Sequence, residues 1–70
     1  MTYKVKIDNL ENCSVISSDN LGVLIRLSSH CPADWNCMLG NYVLVTRPIS
    51  KTDLQECVNN VLNPSTVEVE

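Results

Sequence analysis

The chain has 70 residues, 44 % of them hydrophobic and 19 % charged, which describes one small folding domain over residues 1–70 and excludes a disordered polymer. Eight acidic residues against five basic ones give a net charge of −3. Phosphate recognition leaves a basic patch, and Lys4, Lys6, Arg26, Arg47 and Lys51 are too few and too scattered to make one, so the balance argues against nucleic-acid binding. It is also too thin for a carboxylate array imitating DNA charge.

The segment Met1 to Lys6 mixes charge with alternation and offers no apolar stretch for a signal peptide or a membrane span. A cytoplasmic protein without membrane association is expected. Tyr3, Val5 and Ile7 alternate with Lys4 and Lys6, the period of a half-buried strand, which predicts a first strand over Thr2 to Ile7. Asp8-Asn9-Leu10-Glu11-Asn12 supplies turn formers before a second short strand, Cys13 to Ser17. Ser18-Asp19-Asn20-Leu21-Gly22 predicts another turn, with Gly22 free to take positive φ. Asp-Asn-Leu recurs at Asp8 and Asp19, eleven residues apart, but a match of three residues supports turns and not a duplicated unit.

Val23 to Leu27, apolar except for Arg26, reads as a buried central strand. Periodicity then disappears from Ser28 to Asn41, a loop with one helical turn expected after Pro32. Tyr42 to Thr46 is rich in aromatic and β-branched residues and is stopped by Arg47-Pro48, which predicts the clearest strand of the chain.

A helix follows from about Asp53 to Leu62. Thr52 and Gln55 form a capping box, with Ser50 and Asp53 as an alternative cap, and Asp53 suits the positive end of the helix dipole. Leu54, Cys57, Val58, Val61 and Leu62 make one apolar stripe, while Gln55, Glu56, Asn59 and Asn60 fill the other face. Asn63-Pro64 ends it. Residues 65–70 alternate like a strand and suit either a frayed tail or a short edge strand. The fold class is therefore α+β: a small antiparallel, meander-like sheet of about four strands with one C-terminal amphipathic helix packed on one face.

His30, Cys31 and Cys37 share the long loop, which raises zinc or thiol chemistry. Paired Cys-x2-4-Cys knuckles are absent, Cys31 and Cys37 being separated by five residues, and neighbours such as His30 and Cys31 rarely aim at one ion. Cys-x-x-Cys is missing too. Without an export signal the better reading of Cys13, Cys31, Cys37 and Cys57 is free structural thiols, although a Cys31–Cys37 disulfide is geometrically feasible. Two glycines allow no phosphate-binding loop, and a domain this small has little core to give up for a pocket. No catalytic residue, metal ligand or cofactor is assigned, and an enzyme is not expected.

Elimination leaves surface recognition: a small non-enzymatic module, a regulator or inhibitor, that binds a larger macromolecule. A protein partner is expected, with His30, Asp34, Trp35, Met38 and Leu39 as the candidate binding residues. Trp is favoured at binding hot spots, yet Trp35 and Leu39 four apart also suit a lid folded over the sheet, and the lid is the preferred reading of the pair. The alternatives are a thiol or zinc site at His30, Cys31 and Cys37, or a subunit of a homo-oligomer such as a homodimer, paired through an exposed sheet edge.

Overall fold

The computed structural model describes residues 2–63 and 65–70. Five strands and two helices follow one another as β1 (Tyr3–Asn9), β2 (Ser14–Ser18), α1 (Leu21–Ser29), β3 (Met38–Leu39), β4 (Val43–Thr46), α2 (Lys51–Val61) and β5 (Val67–Val69), with a 3-10 turn at Ala33–Trp35 before β3. The sheet order is β3-β4-β2-β1-β5. All pairs are antiparallel except β1 with β5, which run parallel, so the sheet is mixed. The α+β class holds, whereas the four-stranded antiparallel sheet with a single helix does not: the described residues form five strands, and a second helix lies in the middle of the chain.

That helix is the segment expected to be a central strand. Asn20 has extended backbone, φ −128° and ψ 113°, and its side-chain oxygen accepts from the Gly22 N–H at 2.8 Å, an N-cap that starts α1 one residue later. Gly22, expected at a turn, sits within the first turn of the helix. Helical spacing then puts Val23, Leu24 and Leu27 on one buried face and leaves Ile25 and Arg26 exposed. The continuous apolar run is thus two helix faces rather than a strand buried on both sides.

The C-terminal helix is observed two residues earlier at its start than expected, because Ser50, not Thr52, caps it: its hydroxyl accepts from the Asp53 N–H at 3.1 Å. Leu54, Cys57 and Val58 are buried and Val61 and Leu62 half-buried, as the stripe predicts. The last residues do pair: the Tyr3 N–H donates to the Thr66 carbonyl and the Glu70 N–H to the Val5 carbonyl, both at 2.8 Å.

Ile16 opposes Leu44 and Ile7 opposes Ile16, while Val5 pairs with Val69 and Tyr3 with Val67, so these side chains share one face of the sheet. Val5, Ile16, Leu44 and Val67 join Val23, Leu24 and Leu27 of α1 and Leu54, Cys57 and Val58 of α2 in one core. Both helices therefore cover the same face, in a two-layer arrangement. No helix among the described residues is long and apolar enough to cross a membrane.

Candidate functional site

Two helices on one face leave the other face of the sheet uncovered. Alternation and register place Lys4, Lys6 and Asp8 of β1, Val15 and Ser17 of β2, Val43 and Val45 of β4, and Met38 of β3 there. Val15 opposes Val45, which opposes Met38, so one row runs apolar from β2 to the sheet edge and ends on β1 at Asp8. Val15, Val43 and Val45 are half-buried and Met38 is 70 % exposed. An apolar half of the face, near β3 and β4, thus adjoins a charged half on β1.

The β3–β4 hairpin brings more apolar surface to the same edge. Gly40 N–H donates to the Val43 carbonyl at 2.8 Å, closing the turn over Asn41 and Tyr42. Tyr42 has φ 62°, the left-handed region that bulky L-residues avoid, and is 73 % exposed. A strained, solvent-facing aromatic is a candidate binding residue. The strand expected from Tyr42 begins at Val43 instead, because Tyr42 belongs to the turn.

Antiparallel hydrogen bonding alternates, so the Gly40–Val43 bond makes Leu39–Leu44 a non-hydrogen-bonded pair and turns the Leu39 N–H and C=O away from β4. β3 is an edge strand, so those groups face the free side. Leu39 itself is 38 % exposed.

Trp35 lies elsewhere. It is only 7 % exposed and belongs to the core, whereas Leu39, the other residue of the expected lid, stays exposed; the Trp35 carbonyl accepts from the Arg47 N–H at 2.8 Å. Asp34 is exposed and accepts from the Arg47 guanidinium at 3.3 Å, an ion pair of small energetic weight in water. His30 is exposed and closes α1, its N–H donating to the Arg26 carbonyl. Of the five residues expected to meet a partner, only Met38 stands on the uncovered sheet face; Leu39, opposite the core residue Leu44, lies on the helix-covered side at the open β3 edge, and the Trp35 ring is withdrawn from solvent.

Cys31 and Cys37 are joined by a disulfide, their Cα atoms 6.3 Å apart, which corrects the reading of these two as free thiols. Cys13 and Cys57 are free. Neither sulfur of the bonded pair is a thiolate ligand in this state, and among the described residues no three His, Cys, Asp or Glu side chains come together as a metal site. A concavity of about 260 Å³ opens beside Met38 and Val45, lined also by Cys13, Asn36 and Arg47.

No family model, curated protein or solved structure gives a significant match to the chain.

Composition and periodicity could not reveal Val15, Val43, Val45 and Tyr42 as surface candidates. A valine in a strand reads as core, and only the position of both helices on one face shows which valines are left outside. Asn41-Tyr42 after Gly40 was the available signal for a turn.

Proposed function

We propose that the chain is a non-enzymatic protein-binding module, a small regulator or inhibitor, and that it binds through the apolar half of its uncovered sheet face. The observation that carries this reading is the row Val15, Val45, Met38, placed on the face opposite both helices with Met38 open to solvent. Apolar surface of this kind is a costly thing to leave in water, and burying it against a partner is favourable by roughly 25 cal/mol per Å². Tyr42 adds exposed aromatic surface at the hairpin turn, and the flanking Lys6 and Asp8 supply a polar rim.

Self-association is the second reading, favoured by the free Leu39 N–H and C=O on the β3 edge, which could pair with the same edge of another copy. Light scattering over a concentration series distinguishes it, since only a self-pairing edge raises the mass with concentration.

The test compares wild type with Met38→Asp and Glu56→Lys in capture of a partner from native lysate, followed by affinity measurement with the purified partner. Met38→Asp is expected to weaken binding by about tenfold or more, as for a central apolar contact, and Glu56→Lys on the exposed side of α2 to leave it unchanged. Retained binding by Met38→Asp with loss in Glu56→Lys would move the interface to the helices and overturn the proposal.

A further inference from the structure

The chain carries a covalent clasp next to the surface just described. Cys31 follows α1 directly after His30, and Cys37 immediately precedes β3, so their disulfide closes the segment Pro32 to Asn36 into a small ring. Three features of that ring are unusual together. It holds the chain's one Trp, whose side chain is in the core. It leaves through Asn36, which is in the left-handed conformation with φ 53°. And it delivers a two-residue strand, β3, held to β4 by the Met38–Val45 and Leu39–Leu44 pairs and the Gly40–Val43 turn bond.

We infer that the Cys31–Cys37 disulfide is a redox-operated latch that sets the order of the Met38–Leu39 edge, and that reduction by a dithiol releases it. This inference rests on the binding reading above for its consequence, though not for its own test. In the exchange, a thiolate of the dithiol attacks one sulfur of the disulfide and forms a mixed disulfide; its second thiolate displaces the bound cysteine. The protein gains two electrons and two protons as Cys31 and Cys37 thiols, and the dithiol leaves as a cyclic disulfide.

Both cysteines are half-buried rather than enclosed, so a small dithiol can reach them. With the ring open, what still holds the segment is Trp35 burial, the Trp35 N–H to Pro32 carbonyl bond at 2.9 Å, the Arg47 N–H to Trp35 carbonyl bond, and an exposed ion pair. A two-residue edge strand behind a freed segment belongs to the least stable part of a fold and opens locally before the rest. The closed form presents Met38 and Leu39 pre-ordered, and the open form must order them at the moment of binding.

The experiment measures amide exchange and Trp emission of the full chain, oxidised and after dithiothreitol, beside the Cys31→Ser/Cys37→Ser variant. Reduction is expected to speed exchange of the Trp35, Gly40 and Arg47 amides by about tenfold or more, while the Leu54 amide of α2 and the Leu62 amide that closes it hold, and to shift Trp35 emission to longer wavelength. The double variant should match the reduced chain and ignore dithiothreitol. Unchanged exchange and emission on reduction would overturn the latch, as would finding four reactive thiols in the oxidised, denatured chain. Loss of partner capture in both redox states, with exchange responding as expected, would instead count against the binding surface alone.

Discussion

The hydroxyl of Ser14 accepts a hydrogen bond from the backbone N–H of Ile49 at 3.0 Å, linking the start of β2 to the residue that leads into α2. Ser14 is fully buried, and the same hydroxyl donates to the Asn9 side-chain oxygen at 2.6 Å. One small polar group thereby joins three separate stretches of chain inside the fold. Ser14→Ala removes it and strands the buried Ile49 N–H, so the variant should lose about 1–3 kcal/mol of stability in urea unfolding. A loss within error of zero would show that water replaces the hydroxyl.

The Asn20 cap is what makes Leu21–Ser29 a helix. Asn20→Ala deletes the acceptor of the Gly22 N–H and should cost about 1 kcal/mol, with a fall in helical ellipticity before global unfolding. Asn20→Asp, which keeps an acceptor and adds a charge favourable at a helix start, should be neutral or stabilising. Equal stability of the Ala and Asp variants would contradict the cap.

Tyr42 stands in the left-handed region at the hairpin turn. Glycine takes that conformation without steric cost, whereas the ordinary penalty for an L-residue is about 1–2 kcal/mol. Tyr42→Gly should therefore leave the thermal midpoint unchanged or raise it, Tyr42→Val should lower it, and both should weaken partner binding. A lower midpoint for the glycine variant would mean that the Tyr42 ring contributes more to the fold than its exposure suggests.

Burial pushes the Cys57 thiol above its ordinary value near 9.0, because the thiolate would lose its hydration in the core. A group whose pKa is higher folded than unfolded contributes stability that is complete below about 9.0 and is lost as pH rises through the elevated native value. Alkylation at pH 8 should reach half-buried Cys13 first and Cys57 only when denaturant is added. Cys57→Ala should flatten the alkaline fall in stability measured by denaturant titration; the same slope in wild type and variant would rule the thiol out as its source.

How much of this was legible in the residues differs from element to element. The C-terminal helix was readable because cap, stripe and stop all point the same way; it differs only at its ends, starting two residues early because Ser50 and not Thr52 caps it and closing at Val61 with Leu62 as its C-cap. The central helix was not. Val23 to Leu27 is short and apolar on both of its helical faces, since exposed Ile25 lies among buried residues, and such a run has no period that separates helix from strand. Asn20 and Gly22 were visible in the sequence, but a cap and a turn use the same residue types. Met38 stood out in the loop as an apolar residue and is exposed. Its apolar neighbours Val15 and Val45 were not separable from core valines, because which side of a strand faces water depends on where distant helices come to rest.

The parallel pairing of β1 with β5 carries a consequence for how the molecule is assembled. Tyr3 is matched to Val67 and Val5 to Val69, so the first strand finds its second neighbour only after every intervening element has been synthesised. During synthesis β1 can form its hairpin with β2 early, yet its other edge stays open until β5 emerges, and Val67, a core residue, arrives last. Cooperative closure is therefore tied to the latest-made part of the fold. A chain truncated before β5 should hold the β1–β2 hairpin but remain loosely packed and prone to stray strand pairing along the open edge of β1.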